Sequence, residues 1–245
     1  MDYSHPVLLR IRLFLGKKLG LLRPIVGFIR RERGAHYEEG FESALLKSIS
    51  TNDIVWDIGA NIGFYTRKFA ELASSGMTVA FEPSPKSFNT LKEAVGSMPN
   101  VHLENIALAE QDGEASFFIS KNSDEDGLFS GAESSRARIS VRTARADSFL
   151  LRFPPNIIKV DVEGFELEVL RGMSEILKQP HLKYIYIEVH FSVLSYRGQA
   201  DAPTQIVGLL KGAGMLVKWL DRTWSRAEAA VYPTEWNFGS PAEAA

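Results

Sequence analysis

From residue 41 onward, short apolar runs alternate with stretches whose apolar positions recur at helical spacing. Phe41, Leu45, Leu46 and Ile49 share one face of a helix predicted over residues 41–49, and Thr51-Asn52-Asp53 reads as a turn. Residues 54–58 are apolar apart from Asp57, the pattern of a strand covered on both faces. Residues 77–81, 101–104, 157–162, 184–189 and 215–220 read as further strands. Between them, helical spacing predicts helices over 64–72, 85–95, 165–170 and 203–213, with Ser84 placed to cap the second. Residues 115–119 and 139–143 read as two added strands, antiparallel in expectation, around a polar, Gly- and Ser-rich loop at 120–138. This strand–helix alternation predicts an α/β domain: a Rossmann-like, mostly parallel sheet with helices on both faces.

The chain has 245 residues, 45% hydrophobic and 24% charged, enough to bury one large core. It has no cysteine, which excludes disulfides, thiolate metal sites and thiol nucleophiles, and fits a cytoplasmic setting. Charge divides the chain further. Residues 1–35 carry eight Arg and Lys against Asp2 and Glu32, and the remainder carries a surplus of acid that matches nucleic acid poorly. The basic head interleaves its charges with apolar residues, is too broken to span a bilayer, and lacks the apolar region of a signal peptide. Its spacing suits a helix packed over the domain as a lid, or a surface helix in peripheral contact with a membrane. The expected division is 1–35 basic segment, 36–238 catalytic domain and 239–245 disordered tail.

In open α/β sheets, ligands bind at the carboxyl ends of the strands. After the first strand comes Asp57-Ile58-Gly59-Ala60-Asn61-Ile62-Gly63, a G-x-N-x-G loop rather than the G-x-G-x-x-G that receives a pyrophosphate. Its glycines allow a tight turn and a close backbone approach to a ligand. Asp57 has two readings: an acceptor for a ligand ammonium, or a cap on the following turn. Glu82 ends the second strand, where a carboxylate accepts from both hydroxyls of a ribose, so it points to an adenosine-bearing ligand. Asn105 to Ala107 follow the third strand, where topology puts an adenine ring. No P-loop and no G-x-S-x-G elbow is present.

The motifs resemble those of the FkbM-type methyltransferases, a branch of the class I enzymes that use S-adenosylmethionine (SAM). The resemblance covers roughly residues 36–190. It rests on residues 55–66 (VWDIGANIGFYT), Phe81-Glu82-Pro83, Asn105-Ile106-Ala107-Leu108, residues 158–166 (IKVDVEGFE) and Ile187-Glu188-Val189-His190. It implies a seven-stranded class I methyltransferase fold, SAM as methyl donor, and O-methylation of a sugar, glycan or secondary-metabolite hydroxyl. The positions it implies for the cofactor are Tyr37, Glu38, Asp57, Gly59, Asn61, Gly63, Thr66, Glu82, Pro83, Ser84, Asn105, Ala107 and Asp161.

Methyl transfer from a sulfonium is an in-line displacement, helped by positioning and by a base that takes the hydroxyl proton. His190 is the first choice of base, because imidazole titrates nearest neutral pH. Asp161 is second, as base or orienting group, and Glu163 is placed to bind substrate. Lys159 alternates with Asp161 and Glu163 along one strand face and reads as structural. These groups, with Glu188, also have the donor types of a Mg²⁺ site, but carboxylates cluster at strand ends without metal, and the expectation is none. The competing functions are an NAD-type oxidoreductase and a non-catalytic SAM-binding scaffold. Tyr196, Arg197, Trp219, Trp224 and Trp236 are candidate acceptor contacts.

Overall fold

The structure, a computed structural model, describes residues 40–119, 137–222 and 226–233. The basic head, Tyr37, Glu38, nearly all of the 120–138 loop, Trp224, Trp236 and the 239–245 tail lie outside the described residues. In chain order the elements are α1 (40–48), β1 (Ile54–Ile58), α2 (Phe64–Leu72), β2 (Met77–Phe81), α3 (Pro85–Val95), β3 (Val101–Glu104), β4 (Ala107–Ala109), β5 (Gly113–Ile119), β6 (Ala137–Arg145), β7 (Ile157–Val160), α4 (Glu166–Arg171), β8 (Tyr184–Val189), α5 (Phe191–Tyr196), α6 (Ala202–Gly212), β9 (Met215–Arg222) and β10 (Ala227–Pro233).

Seven strands form one sheet in the order β3-β2-β1-β7-β8-β10-β9. All neighbours through β8 are parallel, and β10 runs antiparallel to both β8 and β9. The chain builds outward from β1 to β2 and β3, then returns to place β7 on the other side of β1. The crevice between the ends of β1 and β7 is therefore the topological switch point, where such sheets bind ligands.

Alternation along β1 explains the two cores. Trp56 and Ile58 face one layer with Phe81, Val160, Leu170 and Ile206. Val55 faces the other with Phe41, Leu45, Phe69, Ile157 and Tyr186. Trp56 anchors the first layer: its Nε1 donates to the Phe153 carbonyl at 3.0 Å, and its ring centre lies 5.0 Å from that of Phe81.

Three features depart from expectation. Residues 107–109 form β4, which pairs with β6 in a second, three-stranded sheet ordered β4-β6-β5; β4–β6 is parallel and β5–β6 antiparallel. Residues 227–233 form β10, whose alanines carry no strand signal of their own but are buried between β8 and β9. β7 ends at Val160 rather than residue 162, because Glu163 (φ 49°) and Gly164 (φ 94°) turn into the left-handed region that extended chain cannot use. The predicted cap holds: Ser84 Oγ accepts from the Ser87 amide at 3.4 Å. Among the described residues no helix is long and apolar enough to cross a membrane.

Truncating the fully buried Trp56 to alanine leaves a cavity and an unpaired Phe153 carbonyl. Urea unfolding of Trp56→Ala should show a loss of about 3–5 kcal/mol.

Candidate active site

Along the sheet face that carries Val55, Ile157 and Tyr186, the pattern turns from apolar to ionic at the carboxyl ends. Asp57 and Lys159 are register partners across β1 and β7, both buried. Lys159 Nζ lies 3.5 Å from Asp57 Oδ1 and 3.4 Å from Asp161 Oδ2, and 4.9 Å from the centre of the Tyr65 ring. Burial works against the ammonium, but the charges of Asp161 and Asp57 outweigh it and raise the Lys159 pKa. Asp161 is held below its ordinary value: burial opposes this, and Lys159 and then His190 prevail. Lys159 is structural, as the strand alternation predicted.

The glycine loop is shaped by protein contacts. A Cβ on Gly59 (φ 82°) would stand 1.8 Å from the Asp161 carbonyl oxygen, and one on Gly63 (φ 92°) would stand 2.8 Å from Leu91 Cδ1 on α3. Both glycines let neighbouring chain pack where a side chain would otherwise stand. Asp57 is likewise taken: its Oδ2 accepts from Thr66 Oγ1 at 2.7 Å. Asp57 and Thr66 thus tie β1 to the first turn of α2, in line with the reading of Asp57 as a brace on the following turn. Ser84 caps α3, and Ala107 packs with Val141. Asn105 Nδ2 donates to the Glu82 carbonyl at 2.8 Å and the Pro83 carbonyl at 3.2 Å, bracing the end of β2.

Glu82 and Asn61 stand together at the ends of β2 and β1. Glu82 Oε2 accepts from the Asn61 amide and Oε1 from the Ser84 amide, each at 2.8 Å, which fixes the carboxylate at the end of β2. Asn61 (φ 50°) has a buried Oδ1 with no hydrogen-bond partner. A carboxylate fixed at the end of β2 and an orphaned acceptor in the loop fit a polar nucleoside such as SAM.

Asp161, Glu163, Glu188 and His190 meet at the ends of β7 and β8. His190 Nε2 lies 3.3 Å from Glu163 Oε2, 3.5 Å from Glu188 Oε1 and 3.9 Å from Asp161 Oδ1. Its Nδ1 donates to Glu166 Oε1 at 2.8 Å, and that oxygen also accepts from the Gly164 amide at 2.8 Å. Burial opposes charge on His190, but the bond to Glu166 and the charges of Glu166, Glu163 and Asp161 push its pKa up to about 10. This environment favours positive charge at the ring, whether from a proton or from another cation beside it. Burial first, and then the neighbouring acids against the pull of His190, push Glu163 and Glu188 up to about 7. Arg226 Nη1 pairs with Glu188 at 2.6 Å.

Two residues of this site escaped the sequence reading. Glu166, quoted in the 158–166 motif without a role, is fully buried and aims His190; it is one of two acids in the first turn of α4. Arg226 had none, since it reaches Glu188 from the unforeseen β10 end. Of the candidate acceptor contacts, Tyr196 is exposed, Trp219 packs on the core, and Arg197 is pinned to the Gly164 carbonyl and to Glu168.

A family model described as the methyltransferase FkbM domain matches residues 57–217. The chain belongs to the FkbM methyltransferase family. Two named relatives are the hexuronic acid methyltransferase AglP of Haloferax volcanii, 32% identical over 67% of this chain and 67% of that protein, and the 2-O-methyltransferase NoeI of Sinorhizobium fredii, 29% identical over 60% and 66%. The matches thus span about two thirds of each relative. An rRNA methylase structure from Streptococcus thermophilus shares the fold, with a TM-score of 0.50 and 13% identity over 78% of this chain and 92% of that one. As an FkbM methyltransferase the chain uses SAM as methyl donor, and the NAD reading gains no support.

Replacing Lys159 by methionine would strand the fully buried Asp57 with only the Thr66 hydroxyl. Lys159→Met should lose about 3–5 kcal/mol in chemical unfolding, the cost of one unpaired buried charge.

Proposed function

We propose that this chain O-methylates a hydroxyl of a sugar, with uronic acids the first class to test. The observation that carries this is the cluster of Asp161, Glu163 and His190 at the switch-point ends of β7 and β8, where a hydroxyl can be held and its proton taken. The names of the two relatives, a hexuronic acid methyltransferase and a 2-O-methyltransferase, support a sugar acceptor. SAM supplies an electrophilic methyl group that transfers in line to the acceptor oxygen. Glu82 holds the ribose, Asn61 meets a donor of the cofactor, and Lys159 keeps Asp161 ionised and oriented toward the crevice. The acceptor hydroxyl gives its proton to the cluster, and Glu163 opens it to substrate with a side chain 35% exposed, against 7% for His190. Residues 36–238 form the catalytic domain on this reading. The basic segment 1–35 serves as its lid or holds it at an anionic membrane surface, in the cytoplasm, and nucleic acid is not a partner.

Two measurements test it. With SAM and a panel of uronic acids and neutral sugars, mass spectrometry should detect an O-methylated product. Glu163→Gln should lower turnover by about 10²–10⁴-fold with SAM affinity little changed. Glu82→Gln should instead weaken SAM binding about tenfold or more in calorimetry. Tight SAM binding without turnover on any hydroxyl acceptor would favour the scaffold reading.

A further inference from the structure

Donor atoms from two strand ends converge on one point. Asp161, Glu163 and His190 each bring one ligand-type atom within 4.8 Å of the others. His190 is 5% exposed, and its Nε2 makes no hydrogen bond. The bond from Nδ1 to the fully buried Glu166 fixes the ring so that Nε2 faces Glu163 Oε2 and Asp161 Oδ1. In the neutral ring Nε2 presents a lone pair, and a lone pair beside three carboxylates, those of Glu163, Glu188 and Asp161, is repulsive unless positive charge sits among them.

A proton or a metal cation supplies that charge. A proton on Nε2 would draw a carboxylate oxygen to about 2.7–2.9 Å. The observed separations, 3.3 Å to Glu163 and 3.9 Å to Asp161, are longer. Ligands that share one ion, each about 2.0–2.2 Å from it, stand about 3–3.5 Å apart, close to the Glu163 separation and within a small adjustment of the Asp161 one. A carboxylate on the far ring nitrogen is also the usual outer partner of a metal-binding histidine, and Glu166 occupies that place. The chain's own cations are engaged beside the gap: Lys159 holds Asp57 and Asp161 Oδ2, and Arg226 holds Glu188.

We propose that Asp161 Oδ1, Glu163 Oε2 and His190 Nε2 bind one divalent cation, with Glu166 orienting the imidazole. The mixed set of two oxygens and one nitrogen suits Mn²⁺ or Zn²⁺, and the ion takes the place of the Nε2 proton, which leaves to solvent. This reverses the expectation of no metal, because the aim of His190 and its bond to Glu166 were invisible in the sequence. Asp161 and Glu163 are 28% and 35% exposed in their side chains, so the open coordination positions face the crevice. On the sugar-methyltransferase reading, those positions take the acceptor hydroxyl together with a neighbouring oxygen. A uronate carboxylate, otherwise repelled by this acidic cluster, becomes a ligand.

The test uses the full chain, stripped with EDTA and titrated with Mn²⁺, free Mn²⁺ being followed by electron paramagnetic resonance. One saturable Mn²⁺ per chain is expected, weakened about tenfold or more in Glu163→Gln and His190→Gln, and also in Glu166→Gln, which touches no ion. SAM binding in each variant confirms that it is folded. No saturable binding at millimolar Mn²⁺, or binding unchanged in Glu163→Gln and His190→Gln, overturns the site. Full methyl transfer in EDTA with no Mn²⁺ bound also overturns it and leaves the sugar-methyltransferase reading standing. Saturable Mn²⁺ binding lost in the variants, but with no methylated sugar, upholds the ion site and sinks that reading instead.

Discussion

Lys159 sits between Asp57 and Asp161, out of water, at the point where the sheet changes direction. A buried ammonium persists only with anionic partners, and the buried Asp57 carboxylate persists only with a cation, so each enforces the other. The triad joins β1 to the end of β7, while the bond from Thr66 to Asp57 draws in the first turn of α2. The close packing of Gly59 on the Asp161 carbonyl completes the seam. The crevice at the switch point is therefore walled by an ionic knot rather than by apolar packing.

The same sheet face explains why chemistry gathers at one end. Toward the amino ends of the strands, Val55, Ile157 and Tyr186 are covered by α1 and α2 and bury apolar surface. One pleat further on, the positions become Asp57, Lys159 and Glu188. Burial, with neighbouring acids added to it, raises the cost of ionising Glu163 and Glu188, while the bond to Glu166 and the surrounding carboxylates favour positive charge at His190. The site is poised to exchange protons or to accept a cation because its negative charge exceeds what Lys159 and Arg226 can neutralise.

The family motif divides by physical role. Gly59, Gly63, Asp57 and Thr66 build the turn between β1 and α2 and serve packing. Glu82, Asn61, Asp161 and Glu163 present polar atoms to the crevice. Glu163 bears left-handed backbone strain, sustained because Gly164 fits beneath Val193 where a Cβ would come within 2.4 Å of that side chain. The motif is thus as much a folding device as a ligand device.

Periodicity alone determined the buried parallel strands, since continuous apolar runs and helical spacing are local properties: β1, β2, β3 and β8 have the bounds their patterns predicted. Topology then put Glu82, Asp161, Glu163 and His190 at one edge, because chain order and strand ends suffice for that. What local pattern did not carry was decided by partners distant in sequence. The alanine-rich β10 is a strand only because β8 and β9 flank it. Asp57 and Thr66 turned inward because Lys159 lies 102 residues away from Asp57 in sequence and 3.5 Å away in space. The proton state of His190 depends on Glu166, 24 residues before it, meeting its Nδ1. A residue's type is written in the chain, but its charge and its aim are set by whatever the fold brings within a few ångströms of it.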